Sequence, residues 1–345
     1  MSQIEALIQQ ARLALGRQNW PVVAGCVEQL MVLAPQNPDA WFLRAMVHRA
    51  AKRDKLALQD FERCLILDSA RYDAAIELAF IYWQQLQHTQ AAKLLKKYQS
   101  ACQHSPMYCH KAGEVYRRLG LHDLAYPLFK RALDLQPEID RFKASFAAAA
   151  TLIGDIDGAE QCLRALLEKY PAHQRHHNEL AKLKRARDRA HLDQMVGLLE
   201  SGRKSDDQCI FLLYAIAKEL EDLTQWGDAF EYYSRAGKAA ASVAKRSGYR
   251  VETDIELMQS VIECCSESWL QLPDPVSSGV EDIESLAKPI FVVGLPRTGT
   301  TLVERILSSH SQIESVDESF FLPIAIKQLI ADPSTAVTAP LTPHD

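Results

Sequence analysis

The sequence is poor in glycine and has no long apolar run, and both shortages narrow the classes of protein it can belong to. Glycine accounts for 14 of 345 residues, roughly 4% against a typical ~7%, while hydrophobic residues make up 48%. Low glycine at ordinary apolar content favours helices. No apolar run approaches the ~18 residues of a membrane-spanning helix, and no basic segment precedes an apolar one at the N-terminus. We therefore expect a cytoplasmic protein without a signal peptide.

The chain also lacks an excess of positive charge and a metal-ligand pattern. Lys and Arg number 39 against 44 Asp and Glu, a net charge of -5, so bulk electrostatics do not favour nucleic acid or anionic lipid. The eight cysteines and eleven histidines show no metal-site spacing. We expect reduced thiols, no metal, and neither nucleic acid nor a membrane as partner. Any anion site must therefore be local.

A repeat with a period of about 34 residues runs through the first half of the chain. Its small positions are Ala57, Ala91, Ala125 and Ala159. A bulky residue stands four positions after each, at Phe61, Leu95, Phe129 and Leu163. Twelve positions before each small residue stands another, at Ala45, Ala79, Gly113 and Ala147. Small residues allow two helices to approach closely, and the bulky residue fills the adjacent groove.

This pattern resembles the tetratricopeptide repeat, in which each unit is a pair of antiparallel helices. Five units fit residues 4–173, and a sixth fits residues 210–243. In the sixth, the matching positions are Ala217, Ala229, Tyr233 and Ala236. The resemblance predicts a mainly α-helical solenoid over residues 1–245 that binds a protein partner.

Residues 174–209 have lost this signature, and their length predicts one degenerate helical pair. They carry a basic cluster, made of Lys182, Lys184, Arg185, Arg187 and Arg189. Long basic side chains commonly cover exposed helix, so we interpret this cluster as a solvated helix face.

Composition changes after the array. A connecting helix and a linker rich in proline and serine occupy residues 246–288. Residues 290–293, with the sequence IFVV, are predicted to form a short buried parallel strand. The loop GLPRTGTT follows at residues 294–301, and a helix is expected from about residue 301 to 309. A strand, a glycine loop and a helix N-terminus make a phosphate cradle, because free backbone N–H groups and the helix dipole attract anions.

The loop differs from the Walker A motif, GxxxxGK[ST], in one decisive position. Gly294 and Gly299 keep its glycine spacing, but Thr300 stands where the lysine belongs and the cation is Arg297. A nucleoside triphosphatase would therefore lack the group that reaches its β- and γ-phosphates.

The stretch from residue 289 to 319 resembles the opening βαβ unit of the protein-tyrosine sulfotransferase-like family, whose bacterial members often carry tetratricopeptide repeats. The resemblance implies that residues 289–345 are the first part of a P-loop-like α/β sulfotransferase domain. It also implies 3′-phosphoadenosine-5′-phosphosulfate (PAPS) as donor, with no metal, and a hydroxyl acceptor, foremost protein tyrosine. The implied donor-binding residues are Pro296, Arg297, Thr298, Gly299, Thr300 and Thr301.

Two catalytic residues follow from chemistry and resemblance together. A guanidinium at Arg297 suits both the 5′-phosphate and the leaving oxygen. Glu318 would follow a second strand at residues 312–316 and would act as general base toward the acceptor hydroxyl. Asp317 is the neighbouring alternative, and many sulfotransferases use a histidine base instead. The acceptor could also be a small hydroxyl compound or a glycan.

The family's 3′-phosphate site and its later lysine are not recognisable in the sequence. A doubly covered parallel sheet typically needs well over ~100 residues, which residues 289–345 do not supply. We therefore expect a C-terminally truncated enzyme. The alternative is a non-catalytic interaction scaffold with a relic phosphate-binding loop.

This expectation predicts that the 345-residue chain alone gives no turnover with PAPS and tyrosine-containing peptides, because the acceptor and 3′-phosphate sites would be incomplete. Mass spectrometry of the peptide after incubation measures the sulfated product. Sulfated product from the wild-type chain would contradict the truncation. Loss of that product in the Arg297→Ala variant would in addition support the catalytic role of Arg297.

Overall fold

The computed structural model describes residues 2–202, 205–246, 248–264, 290–295 and 298–315, and the statements below concern these residues. The chain divides into two units after Ala244, and each is described by itself. Helices of the first unit are α1 Gln3–Gly16, α2 Trp20–Leu33, α3 Pro38–Ala50, α4 Asp54–Leu67, α5 Tyr72–Gln84, α6 His88–Tyr98, α7 Pro106–Arg118, α8 His122–Leu135, α9 Asp140–Ile153, α10 Ile156–Lys169, α11 Gln174–Leu183, α12 Ala190–Ser201, α13 Ile210–Asp222 and α14 Trp226–Arg246. Short 3-10 turns lie at Ala101–His104 and Asp206–Gln208.

The helices from α1 to α10 pack in sequential pairs, α1 on α2 through α9 on α10. We call the first helix of each pair an A helix and the second a B helix. Each B helix also packs on the next A helix, except that the turn at Ala101–His104 carries much of this contact between the third and fourth pairs. This arrangement confirms the predicted mainly α-helical repeat array.

The residues of the repeat pattern form the interior of this array. Ala57, Ala91, Ala125 and Ala159 are fully buried, and so are the bulky residues that follow them by four positions. Gly113 shows why the partner position must be small: a Cβ added there would lie 3.0 Å from Cε1 of Phe129. Close helix approach and the bulky plug are therefore two parts of one contact.

Turns inside the helical pairs contain a second repeat, which the sequence pattern did not reveal. One residue in each A-to-B turn has positive φ, and Thr224 does the same between α13 and α14; with the turns of the array listed first, these residues are Gln18, Lys52, Leu86, Gly120, Gly154 and Thr224. The first five follow one another at the same interval as the small positions of the repeat. A left-handed residue lets the chain leave one helix and enter the next within a short turn, so the backbone repeats even where glycine is absent.

The degenerate segment forms two helices, α11 and α12, but α11 packs mainly against α13. A buried relay of hydrogen bonds joins these three helices. Nε2 of His177 lies 2.7 Å from the Pro171 carbonyl oxygen, and its Nδ1 lies 2.8 Å from Nε2 of His191. Nδ1 of His191 lies 2.5 Å from Oε1 of Glu219. Burial lowers the pKa of His177, so a neutral ring donates to the carbonyl and accepts from His191.

Part of the basic cluster serves the same junction. The Arg185 guanidinium donates to the carbonyl oxygen of Asp222 at 3.2 Å, at the C-terminal end of α13. Lys218 donates to the Lys184 carbonyl oxygen, and Lys184 forms ion pairs with Asp157 and Glu160. Lys184 and Arg185 are exposed, but they also hold the chain between α11 and α12 against neighbouring helices.

The described part of the second unit contains helices α15, Val251–Cys264, and α16, Thr300–Ser308. The connecting helix expected from residue 246 thus begins at Val251, after Gly248 with φ of 88°. Helix α16 agrees with its predicted bounds to within one residue. Among the described residues, no helix is both long and apolar enough to cross a membrane.

The predicted buried strand at residues 290–293 is not confirmed. These residues form no strand, and Ile290, Phe291 and Val293 are exposed. Residues 313–315 of the expected second strand are also irregular, and residue 316 lies outside the described residues. A strand needs a hydrogen-bonded neighbour, and a parallel sheet needs a covering layer on both faces. The described residues supply neither.

The positive φ of Lys52 predicts that glycine at this position would stabilise the array. A side chain at a left-handed position costs about 1 kcal/mol, so Lys52→Gly is expected to raise the free energy of unfolding of the array by about 1 kcal/mol. Urea titration followed by far-UV circular dichroism measures it. Ala51→Gly is the matched control, because Ala51 has φ of -85° and gains nothing from glycine. Equal effects of the two changes would contradict the prediction.

Candidate functional site

The loop predicted to bind phosphate has the backbone features that its two glycines require. A Cβ added to Gly294 would lie 2.6 Å from Oγ1 of Thr298 and 3.0 Å from Cγ2 of Thr300. Gly299 has φ of 94° and is the residue immediately before α16. The hydroxyl of Thr298 donates to the Leu295 carbonyl oxygen at 2.7 Å. The loop therefore turns back on itself over Gly294 and enters the helix through a left-handed residue.

The start of α16 leaves backbone donors for a ligand. No side chain caps this helix, and the first helical hydrogen bond runs from the Val303 N–H to the Gly299 carbonyl oxygen at 3.1 Å. The N–H groups of Thr300, Thr301 and Leu302 precede it and have no backbone acceptor in the described part of the chain. Together with the helix dipole, they can hold an anion.

The structure describes only part of the predicted residue set. Thr298, Gly299, Thr300 and Thr301 lie together at this helix start. The remaining predicted residues, namely Pro296, Arg297, Asp317 and Glu318, lie outside the described residues. The described part of the predicted site is thus the start of α16, with backbone N–H groups that have no backbone acceptor among the described residues.

The array contains a second charged arrangement, on its A helices, which the sequence analysis missed. Glu77 on α5 has a side chain only 2% exposed, and its carboxylate forms ion pairs with both Arg49 on α3 and Lys111 on α7. The three charged groups thus join three successive A helices. Glu77 and Lys111 occupy the same position in successive repeats. Their opposite charges, one repeat period apart, were the sequence signal that could have indicated this ion pair.

Three aromatic residues of the array use their polar groups in hydrogen bonds within the array. Trp41 Nε1 donates to the Pro35 carbonyl oxygen at 2.8 Å, and the Tyr82 hydroxyl donates to Glu62 at 3.0 Å. The fully buried Tyr116 donates to Gln99 at 3.0 Å. These rings therefore belong to the packing of the array.

Metal-binding clusters are absent from the part of the chain that the structure describes: no three His, Cys, Asp or Glu side chains lie close enough to hold an ion. Among the residues that the structure describes, Cys26, Cys64, Cys102, Cys109, Cys162 and Cys209 are buried.

Family comparisons match two segments of the chain. Residues 289–342 match the sulfotransferase family, and residues 107–139, which span α7 and α8, match the tetratricopeptide repeat. The chain therefore joins helical repeats to a sulfotransferase-like segment. The glycine loop at residues 294–301 lies inside that segment.

Individual relatives match smaller parts or show remote similarity. An uncharacterized protein of Aquifex aeolicus is 56% identical over 36 residues, which is 10% of this chain and 5% of that protein. The chain thus spans a small part of the length of this curated relative. The repeat protein YrrB, whose structure has "an unusual peptide-binding site", is 17% identical with a TM-score of 0.43, over 60% of this chain and 97% of its own. A tetratricopeptide protein of Parabacteroides merdae is 16% identical with a TM-score of 0.40, over 74% and 97%.

The buried carboxylate predicts a specific stability effect. Glu77→Gln removes the carboxylate that Arg49 and Lys111 share, and only the more distant Asp54 and Asp73 still act on them. We expect a loss of about 2 kcal/mol, less than for fully buried partners. Urea unfolding measures it. Glu114→Gln is the control, because Glu114 is a more exposed partner of Arg117 and should cost at most about 0.5 kcal/mol. A smaller loss for Glu77→Gln than for Glu114→Gln would contradict the assignment.

Proposed function

We propose that this chain belongs to a PAPS-dependent sulfotransferase that transfers a sulfuryl group to an acceptor hydroxyl, foremost that of protein tyrosine. One observation carries the proposal: the glycine loop at the start of α16 has the backbone of an anion cradle, and it lies within the segment that matches the sulfotransferase family. In this proposal the repeat array binds the polypeptide substrate or a protein partner.

The chemistry assigns a task to each predicted residue. Sulfuryl transfer breaks the bond from sulfur to the bridging phosphate oxygen and forms a bond from sulfur to the acceptor oxygen. Arg297 is proposed to neutralise the charge that develops on the bridging oxygen. Glu318 is proposed to take the proton of the acceptor hydroxyl, whose pKa is near ~10 for tyrosine.

The loop residues would hold the donor in place. Thr300 and Thr301 offer backbone N–H groups at the helix start, and their hydroxyls add further donors to the 5′-phosphate. A fixed phosphate aligns the sulfur with the incoming oxygen, so the loop contributes by positioning.

Binding of the nucleotide product of sulfuryl transfer tests the proposed roles of the loop residues in this 345-residue chain. We expect 3′-phosphoadenosine-5′-phosphate to bind the wild-type chain, and Arg297→Ala to weaken binding at least about tenfold because a charge-assisted contact is lost. Isothermal titration calorimetry measures both affinities.

Arg305→Ala is the matched control for this experiment. Arg305 is an exposed cation near the end of α16, so its removal changes the net charge equally without touching the loop. Equal weakening by Arg297→Ala and Arg305→Ala would contradict a specific cradle. No binding by the wild-type chain would contradict a working nucleotide site in this chain.

A further inference from the structure

Helix α14, the last helix of the array, presents an apolar face to solvent. Trp226 and Phe230 lie one turn apart at its N-terminal end, and 62% and 74% of their surface is exposed. Gly237 and Ala241, also one turn apart, are exposed further along the helix. Spacings of 4, 7 and 4 positions return to the same side of an α-helix. We call these four residues the α14 face.

Packing of the sixth repeat does not account for the α14 face. The small pattern residues of this helix, Ala229 and Ala236, are buried in the array, and they lie on another side of the helix. The third pattern residue, Tyr233, donates its hydroxyl to Glu221 at 2.8 Å. A single exposed aromatic residue is ordinary, but two aromatic residues one turn apart form a contiguous apolar patch of the kind that marks an interaction surface.

The order of large and small residues makes the α14 face complementary to itself. Consider two α14 helices that lie antiparallel and cross midway between residues 233 and 234. Phe230 of each copy then lies opposite Gly237 of the other, and Trp226 lies opposite Ala241. Both matches occur in the same register. Each large side chain thus meets a position where the second helix leaves space, which is the same kind of contact that packs the helical pairs inside the array.

Two opposite charges beside the α14 face fit the same arrangement. Glu231 and Lys238 are exposed and lie seven positions apart, on one flank of the face. Neither forms an ion pair with another described residue, and Arg235, on which Glu231 acts, is already paired with Asp206. In the antiparallel pair, Glu231 of one copy and Lys238 of the other lie about 3 Å apart along the helix axis. A two-fold rotation keeps them on the same flank, so two such contacts form.

We propose that two copies of this chain associate through the α14 face as an antiparallel pair with two-fold symmetry. A second copy is the occupant because one rotation satisfies both the pattern of large and small residues and the pattern of charges. Such self-complementarity is what a two-fold interface requires of a single surface. Each pair contains two repeat arrays. The proposal does not depend on sulfuryl transfer.

The area of the α14 face sets the strength of this association. An aromatic side chain contributes ~150–250 Å² when it is buried, so the four aromatic residues of the pair account for at most about 1,000 Å². Stable interfaces bury ~1,200–2,000 Å² in total. The pair is therefore a weak and reversible dimer, and we expect a dissociation constant of about 10–100 μM.

Sedimentation of the full chain at concentrations from about 1 to 300 μM tests this proposal. We expect a monomer–dimer equilibrium, and Phe230→Ala should raise its dissociation constant at least about tenfold because the ring is the centre of the contact. The monomer should tolerate this change, since Phe230 is 74% exposed, and circular dichroism checks the fold. A wild-type chain that stays monomeric throughout would overturn the proposal.

Gly237→Leu tests the register without disturbing the monomer. A Cβ added to Gly237 meets no atom within 4 Å, and leucine favours a helix over glycine, so the thermal midpoint of the chain should not fall. In the dimer, the leucine would occupy the space that Phe230 of the second copy fills. The dissociation constant should therefore rise at least about tenfold. Unchanged association would rule out this register.

Ile66→Ala is the matched control for non-specific association. Ile66 lies on the B helix α4 and is 71% exposed, so it resembles Phe230 in exposure but lies away from the α14 face. The change should alter the dissociation constant less than about twofold. Equal weakening by Ile66→Ala and Phe230→Ala would overturn the proposal, because any exposed apolar side chain would then contribute.

Charge reversal tests the antiparallel arrangement independently. Glu231→Lys or Lys238→Glu alone places like charges opposite each other, and each change should raise the dissociation constant about threefold at low salt. The two changes together restore opposite charges between the copies, so the double variant should associate like the wild type. A double variant as weak as the single variants would contradict the antiparallel pair.

Discussion

The contact between a small residue on one helix and a bulky residue on its partner supports the rest of the array. Gly113 and Phe129 show how little space this contact leaves, because a single carbon added to Gly113 would lie 3.0 Å from the Phe129 ring. Because this contact recurs once in every repeat, each pair presents the same surface to the next, and the buried core continues from α1 to α11. The A helices stay aligned for the same reason, so side chains one period apart face each other.

This alignment explains how much of the array could be predicted. The sequence predicts positions whose volume is constrained, such as Ala125 and Phe129, because packing admits few alternatives there. Lys52 and Leu86 were not predicted as left-handed turn residues, because backbone strain of about 1 kcal/mol leaves side-chain identity open. The ion pairs of Glu77 were missed for a related reason: a charge on a helix resembles solvated surface until its neighbour is known.

In the second unit, some structural features depend on adjacent residues and others depend on distant parts of the chain. The turn over Gly294 and the left-handed Gly299 depend on a few adjacent residues, so the sequence was sufficient to predict the loop and helix α16. Burial of residues 290–293 depends on layers contributed by other parts of a sheet, which local sequence does not specify. The turn at Gly294 and the start of α16 are thus defined locally, whereas a parallel sheet beside them depends on distant segments.

The net charge of the chain and the charges near a given residue also lead to different expectations about electrostatics in the array. The chain carries a net charge of -5, which argues against a general affinity for polyanions such as nucleic acid. Screening limits interactions between exposed charges to about 8 Å at physiological salt, so nearby groups decide the environment of Lys111: burial, Arg49 and Arg141 lower its pKa, and Asp73 raises it. The charge environment at one place on the array therefore follows from its own neighbouring side chains and not from the net charge of the chain.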